Sequence, residues 1–241
     1  MFKVLARPFA SMTRTSMNGQ QNVSPQILNL LHSRIQEQAK VAADFLRAGQ
    51  VVATPTDTIY GLAALANTTE AVRKIYDIKG RHQSKPISIC VADFKEVGLW
   101  GKVTISEELL KELLPGPVTL CFQRQNRLNP ELNPDSSIIG IRIPDHPFIQ
   151  EVCHQTQSPL ALTSANVSQG KSTLAIEEFS DLYQHLSLVV NGGVLGLTEE
   201  ARLGSTVVDL SQPGIYKIIR SGCAEADTTC KLHKFGLIRQ S

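Results

Sequence analysis

Short apolar runs alternate with amphipathic segments along most of the chain. Runs rich in Val, Ile and Leu predict buried strands at 51–53, 87–91, 118–122, 138–143, 159–162, 188–190, 204–209 and 215–219. Apolar positions three and four residues apart predict helices at 35–49, 69–76, 106–114, 146–156 and 177–186. Gly49 is placed to end the first helix, and Ser106 to cap the third. Strands that alternate with helices indicate the α/β fold class.

Hydroxyl side chains follow two of the predicted strands where each strand ends. The run 51–53 continues into TPTDT at 54–58, and the run 159–162 continues into TSAN at 163–166. Pro55 ends the first ladder because proline has no N–H to donate. Open α/β folds bind ligands at strand ends, so both segments are candidate binding elements. A plain strand, Ser/Thr turn and helix cap fits 54–58 equally well.

Three cations, Lys79, Arg81 and Lys85, lie within seven residues between a predicted helix and a predicted strand. Arginine offers a planar fork and lysine a point charge, and a polyphosphate can use both. This pattern is compatible with an anion clamp. It is also compatible with an ordinary solvated basic loop, because charged side chains are mostly exposed.

Arg142 stands inside an apolar predicted strand. Arginine is rarely buried unless it is paired. One solution is a buried ion pair, for instance with Asp145, and the other is a carboxylate or phosphate ligand. Pro144 stops the strand just after Arg142, which favours the ligand.

Charge is unevenly distributed along the chain. Residues 1–36 hold four basic and no acidic side chains, whereas the remainder holds 20 basic and 22 acidic ones. A general nucleic-acid binder is expected to carry a basic surplus on its folded part. The five cysteines are scattered without a C-x-x-C pair, which argues for reduced thiols rather than a disulfide framework or a zinc site.

Residues 1–30 are predicted to form an N-terminal targeting or disordered segment. The first 24 residues are basic, rich in hydroxyls and free of acids, which is typical of a mitochondrial transit peptide. The alternative is a disordered tail without a targeting role. The predicted catalytic domain spans 35–225, and 226–241 is a C-terminal tail, interpreted as a helix plus a frayed end.

Several well-known signatures do not occur in the sequence. It contains no G-x-x-x-x-G-K-[ST], no G-x-G-x-x-G after a strand and no G-x-S-x-G. No apolar run approaches the roughly 18 residues of a membrane span.

Six short motifs occur in a fixed order over residues 54–222: TPTDTIYGL, KGR…KP, PGPVTL, IRIPDHP, LTSAN and GSTVVDL…IIRSG. In this order they resemble the YrdC-type threonylcarbamoyl-AMP synthases, and the animal form in particular. The resemblance implies a twisted, open, mixed α/β YrdC-like fold with a basic concave cavity.

The resemblance also implies a reaction and its partners. ATP, L-threonine and bicarbonate would give L-threonylcarbamoyladenylate and pyrophosphate, with Mg²⁺ accompanying ATP. A downstream threonylcarbamoyl transferase complex would pass the group to tRNA position 37 as N6-threonylcarbamoyladenosine. A cytoplasmic and mitochondrial location and weak RNA binding are further expectations.

Roles follow for the residues that match the family motifs. The resemblance implies catalytic roles for Lys79 and Arg81. It implies ATP binding by Arg81, Lys85, Ser164, Asn166, Ser172, Thr173 and Arg220. It implies threonine binding by Thr58, Cys90, Arg142 and Ser205, and no metal ligands. Cys90 departs from the family pattern, because many microbial relatives have histidine there and a thiol cannot replace imidazole as a base.

Two other functional classes are compatible with parts of the sequence. A double-stranded RNA-binding module could use the same basic cavity, although the near-neutral body opposes broad RNA binding. A hydrolase could use Thr58 or Ser164 as its nucleophile.

Overall fold

The computed structural model describes residues 24–80, 86–167 and 170–240. Its strands are β1 (Gln26–Asn29), β2 (Val52–Thr54), β3 (Gly61–Leu65), β4 (Ser88–Cys90), β5 (Gly101–Lys102), β6 (Val118–Arg124), β7 (Ile138–Arg142), β8 (Leu160–Ser164), β9 (Leu188–Asn191), β10 (Thr206–Asp209), β11 (Ile215–Arg220) and β12 (Ile238–Arg239). Its helices are α1 (Ile35–Arg47), α2 (Thr69–Ile78), α3 (Val97–Trp100), α4 (Glu107–Leu113), α5 (Pro147–Thr156) and α6 (Glu225–Lys234). Turns of 3₁₀ helix lie at His32–Arg34, Phe94–Glu96, Ile176–His185 and Glu200–Leu203.

The strands form one mixed sheet. Their order is β1-β9-β2-β3-β8-β4-β7-β6-β10-β11-β12, and β5 pairs with β6. β9 runs parallel to both β1 and β2, and β10 runs parallel to β6. β3 is antiparallel to both of its neighbours, β2 and β8. A mixed sheet carrying helices confirms the α/β fold class.

Two apolar layers cover the sheet on opposite faces. Val118, Leu120 and Phe122 of β6 belong to the larger layer, together with residues of α2 and α4. α1 and α5 pack over β2, β3, β8 and β9 on the other face. Because side chains alternate along a strand, β6 and β7 direct Thr119 and Arg142 to this second face. There the apolar layer gives way to polar side chains.

Most predicted helices are confirmed, and their ends use the expected residues. α1 gives way to Gly49, whose φ of +69° suits a glycine after a helix. The Ser106 hydroxyl accepts a hydrogen bond from the Leu109 N–H at 3.3 Å, which caps α4.

The segment after Gly61 forms a strand, so a helix cap at 54–58 was wrong. GLAAL favours a helix by composition, yet β3 pairs along its whole length with β8 and with β2 on its other edge. Tertiary pairing overrides the local preference.

The helix predicted at 177–186 is a 3₁₀ segment, Ile176–His185, that is interrupted at Phe179 by a φ of −128°. The helix predicted in the C-terminal tail is confirmed as α6, which buries Leu232 completely. The frayed end predicted after it was wrong for Ile238 and Arg239, because they form β12 and pair with β11.

The described helices are short. α1 is the longest of them at 13 residues, whereas a bilayer span needs about 20 apolar residues. Within the described ranges, no helix has the length and hydropathy to cross a membrane.

Candidate functional site

The turn between β2 and β3 is organised by the Thr56 hydroxyl. It accepts the N–H groups of Thr58 and Ile59, each at 3.2 Å, and donates to the Ile59 carbonyl at 2.7 Å. The Thr58 hydroxyl lies 3.2 Å from it. These bonds form the predicted Ser/Thr turn, which leads into a hairpin.

Asp57 in this turn is paired with Arg142 at the end of β7. Arg142 Nη2 donates to Asp57 Oδ1 at 2.5 Å, and both side chains are only 7% exposed. Asp57 Oδ2 accepts the backbone N–H of Asp145 at 3.1 Å. The ion pair considered for Arg142 therefore exists, but its partner is Asp57. Asp145 contributes its backbone to the same carboxylate.

The Arg142 guanidinium retains unused hydrogen-bonding capacity. Nη2 also lies 3.4 Å from the Thr58 hydroxyl, but Nε is buried and has no hydrogen-bond partner among the described residues. Buried polar groups in folded proteins are nearly always satisfied. An orphan donor on a buried cation indicates a place for an anionic group.

A second guanidinium belongs to the same region. Arg220 Nη2 donates to the Ser205 carbonyl at 2.8 Å and lies 3.2 Å from the Ser205 hydroxyl, which is 2.9 Å from the Thr119 hydroxyl. Burial lowers the pKa of Arg220, and the positive charge of Arg142 lowers it further. Two cations that repel each other create a site suited to an anion.

A bulge and a glycine place Arg220 in this site. The register between β10 and β11 shifts so that Val207 faces Arg220 while Val208 faces Ile218. Such a bulge turns the side chain that follows it. Beyond it, a Cβ added at Gly222 would lie 2.3 Å from the Thr206 nitrogen. Only glycine fits so close to another backbone.

Lys79 forms a separate cluster with the turn after β8. Its side chain is completely buried, and Nζ donates to the carbonyl oxygens of Ser164 at 2.7 Å and Asn166 at 2.5 Å. It also donates to Asn166 Oδ1 at 2.7 Å, and Ser164 Oγ lies 2.6 Å from that oxygen. In this arrangement Lys79 fixes the 164–166 turn, and its contact with ATP phosphates stays a prediction.

The segment 172–173 lies beside this turn. The Thr173 hydroxyl donates to the Ala165 carbonyl at 3.0 Å, and the Ser172 carbonyl accepts from Arg202 at 2.7 Å. Asn166, Thr173 and Phe179 line a cavity of about 300 Å³. These contacts bring four predicted nucleotide-binding residues together.

The two clusters are joined through the backbone of Tyr60. Its N–H donates to the Thr173 carbonyl, and its carbonyl accepts the Ala165 N–H, both at 2.9 Å. The turn that carries Asp57 and Thr58 therefore contacts the segments that carry Ser164, Asn166 and Thr173.

The remaining predicted site residues are Arg81, Lys85 and Cys90, and Cys90 is the register partner of Arg142 between β4 and β7. Arg81 and Lys85 fall outside the described residues. Cys90 is completely buried, with its thiol 3.4 Å from that of Cys153, in the layer under α1 and α5. Its contact with threonine stays a prediction. All five cysteines are free thiols, as expected.

The family model Sua5_yciO_yrdC, described as "Telomere recombination", matches residues 44–222. The chain belongs to this family. The match covers every candidate site residue named above.

Curated and solved members of the Sua5/YciO/YrdC family extend the similarity. The human protein named threonylcarbamoyl-AMP synthase is 51% identical over 205 residues, which cover 84% of this chain and 74% of the human one. The bovine protein of that name is 50% identical over 204 residues. The structure of Pyrococcus abyssi Sua5 complexed with L-threonine has a TM-score of 0.77 at 29% identity. The similarity to it covers 88% of this chain and 62% of the archaeal chain.

Asp57 and Thr119 were not among the site residues predicted from the sequence. Asp57 stands between two threonines directly after a strand, and a lone carboxylate among hydroxyls at a strand end was the available signal. The sequence contained no comparable signal for Thr119, because threonine is common inside apolar strands. It joins the site through its hydroxyl contact with Ser205.

Proposed function

We propose that this member of the Sua5/YciO/YrdC family is a threonylcarbamoyl-AMP synthase. It would convert ATP, L-threonine and bicarbonate into L-threonylcarbamoyladenylate and pyrophosphate, for the threonylcarbamoyl modification of tRNA. The observation that carries the proposal is 51% identity over 205 residues to the human protein of that name. The P. abyssi relative crystallised with L-threonine supports threonine as the amino acid. No observation favours an RNA-binding module instead.

The substrate carboxylate is assigned to Arg142. The buried Nε of this guanidinium has no hydrogen-bond partner among the residues that the structure describes, and Asp57 holds the guanidinium in place. Thr58 and Ser205 hydroxyls lie beside the two arginines and are proposed to contact the threonine. A site built around a substrate hydroxyl rejects analogues that lack it.

The triphosphate is assigned to cations other than Arg142. Arg220 carries part of this role, together with Lys79, Arg81 and Lys85. Ser164, Asn166, Ser172 and Thr173 are proposed to face the nucleotide. Asn166 and Thr173 line the 300 Å³ cavity, Ser164 Oγ contacts Asn166, and the Ser172 carbonyl accepts from Arg202, which also lines it.

The proposed chemistry requires no protein nucleophile. Bicarbonate and the threonine amine give a carbamate and water. A carbamate oxygen then attacks the α-phosphorus of ATP, and pyrophosphate leaves. Positioning and charge neutralisation supply most of the acceleration in such transfers.

We propose that Mg²⁺ enters with ATP. Within the described residues, no three His, Cys, Asp or Glu side chains converge to hold a metal ion. Mg²⁺ commonly keeps its waters and binds substrate phosphates, so the protein groups here would act on the phosphates directly.

Both a cytoplasmic and a mitochondrial location are proposed. The targeting segment predicted at 1–30 is proposed to end before β1, because Gln26–Asn29 pairs with β9 in the sheet. The support is the segment's acid-free, basic composition. Fusion of residues 1–30 to a fluorescent reporter, compared with a fusion in which Arg7 and Arg14 are changed to Glu, tests the targeting role.

Pyrophosphate release tests the reaction. The full chain, which keeps β1, is incubated with ATP and Mg²⁺, with threonine and bicarbonate added separately and together. We expect release only when both are present. Release that needs neither substrate would indicate a plain ATPase, and no release from folded protein would contradict the proposal.

Two variants in the same assay test the division of the site. Arg142→Ala is expected to raise the KM for threonine at least about tenfold and to leave the KM for ATP nearly unchanged, because it removes a carboxylate partner. Arg81→Ala is expected to act chiefly on ATP. Arg47→Ala, on the surface of α1, is the matched control. Equal effects of Arg142→Ala on both substrates would refute its role.

A further inference from the structure

We infer that Asp57 is a positioning residue for threonine, acting through Arg142. The inference rests on the proposed function, and in particular on Arg142 as the carboxylate partner. Asp57 would not touch threonine itself, but it would determine the orientation in which the Arg142 guanidinium binds the threonine carboxylate.

Each oxygen of the Asp57 carboxylate holds a different element. Oδ1 accepts from Arg142 Nη2 at 2.5 Å, and Oδ2 accepts from the Asp145 N–H at 3.1 Å. The carboxylate thus connects the β2–β3 turn to both the end of β7 and the segment that starts α5. Two bonds in different directions leave it little freedom to rotate.

The turn that carries Asp57 is itself rigid. Three hydrogen bonds to the Thr56 hydroxyl define its backbone on the C-terminal side of Asp57. Because the Asp57 side chain is 7% exposed, water cannot readily replace it as the partner of Arg142.

The guanidinium is held at one nitrogen and available at another. Asp57 and Thr58 both contact Nη2, whereas the buried Nε has no partner in the described part of the chain. A carboxylate ligand needs donors held in a fixed geometry. Asp57 provides that geometry before the ligand arrives.

The charges of the two arginines also support a positioning role for Asp57. Burial is the larger cause of the lowered pKa of Arg220, and repulsion by the positive charge of Arg142 lowers it further. Without Asp57, two cations, one of them buried, would repel each other with no carboxylate to offset them until an anion arrived. With Asp57, the pair keeps one net positive charge, enough to attract a carboxylate while the guanidinium stays in place.

The opposite role for Asp57 is a competitor that occupies Arg142 and must be displaced by threonine. The two roles predict opposite changes in the KM for threonine when Asp57 is removed. Loss of a positioning residue raises the KM for threonine, whereas loss of a competitor lowers it.

The test uses Asp57→Asn with Asp145→Asn as the matched control. Asparagine keeps the shape, but its NH₂ must face a donor on either Arg142 or the Asp145 backbone. We expect the KM for threonine to rise at least about tenfold and the KM for ATP to change less than about twofold. Asp145→Asn, which removes an exposed neighbouring charge and keeps the backbone N–H, is expected to match the wild type.

Asp57→Glu restores the carboxylate, and we expect its threonine KM to lie between those of the wild type and Asp57→Asn. A fall in the threonine KM of Asp57→Asn, an equal rise for ATP, or the same rise in Asp145→Asn would overturn the inference.

A double variant shows whether Asp57 acts through Arg142. In the Arg142→Ala background, Asp57→Asn is expected to leave the threonine KM unchanged, and a further rise would overturn the inference. This comparison remains usable if Asp57→Asn alone fails to fold, because removing both partners leaves no unpaired buried charge. If the wild type releases no pyrophosphate, the proposed function fails. If it does and these variants behave otherwise, only the role of Asp57 fails.

Discussion

Two buried cations near the site are stabilised by different chemistry. Arg142 is paired with the carboxylate of Asp57, whereas Lys79 donates to oxygens of the 164–166 turn. A planar guanidinium suits a carboxylate, and a compact ammonium suits several converging carbonyl oxygens. Arg142 is therefore prepared for a ligand, while Lys79 shapes the backbone around one.

Lys79→Met tests this structural role. Methionine fills a similar volume but leaves the oxygens of Ser164 and Asn166 without their donor, so we expect the free energy of unfolding to fall by about 2–4 kcal/mol. Urea denaturation measures this.

The matched control is Lys74→Met on α2. Lys74 Nζ also donates to a carbonyl, that of Gly49 at 2.8 Å, but at an exposed position. We expect a change below about 0.5 kcal/mol there. Equal losses in the two variants would contradict the role assigned to Lys79.

At the scale of elements, the close contact between Gly222 and the start of β10 determines how two segments of the site meet. An added Cβ would lie 2.4 Å from the Ser205 carbonyl carbon, which is backbone and cannot rotate away. The contact holds the end of β11 against Ser205, which is also bound by Arg220.

Gly222→Ala is expected to lower the free energy of unfolding by at least about 2 kcal/mol, because one of the two backbones must move. It should also raise the KM for threonine, since Ser205 moves with β10. Denaturation and the pyrophosphate assay measure the two effects. Gly98→Ala is the control, because no atom lies within 4 Å of its added Cβ, and a result equal to this control would refute the argument.

The sequence predicted elements whose own residues determine them. α4 has its Ser106 cap, and β6 and β7 are long apolar runs. It did not predict β1 or β12, which are short and exposed on the sheet edges. The segment Gly61–Leu65 forms a strand because it pairs with β2 and β8. Local patterns cannot report pairing with residues far along the chain.

The same limit applied to the site. Thr58, Ser164 and Arg142 could be named as candidates because polar residues at strand ends stand out in sequence. Arg142 pairs with Asp57, which is 85 residues away in the sequence. From the sequence alone, Asp145 was the nearer candidate partner. The enclosure of Lys79 by the 164–166 turn needed the fold, since a lysine in a basic segment suggests exposure.

At the scale of the whole molecule, alkaline stability depends on Tyr60. Its hydroxyl donates to the Gly193 carbonyl at 2.7 Å and accepts the Gly192 N–H at 2.9 Å, and burial raises its pKa from 10.0 to about 12. The unfolded phenol ionises first as pH rises. The stabilisation is therefore complete below pH 10 and is lost between about pH 10 and 12.

Tyr60→Phe is expected to lower the free energy of unfolding by about 1–3 kcal/mol at pH 8, because the hydroxyl's two hydrogen bonds to the backbone of Gly192 and Gly193 are lost. The variant should also lose less of its free energy of unfolding than the wild type does as the pH rises above 10. Urea denaturation at several pH values measures both effects. Cys121, with a pKa raised by burial to about 12, adds to the decline, so the difference between variant and wild type isolates Tyr60. Parallel curves would contradict the assignment.

Strand order has a consequence for how the protein is made. The partner of β1 in the described sheet is β9, about 160 residues later, and β9 also joins β1 to β2. Ser205 and Arg220 come later still. During synthesis on the ribosome, β1 therefore remains without this partner until β9 has emerged. The proposed anion site needs both arginines, so a nascent chain that stops before Arg220 lacks part of it.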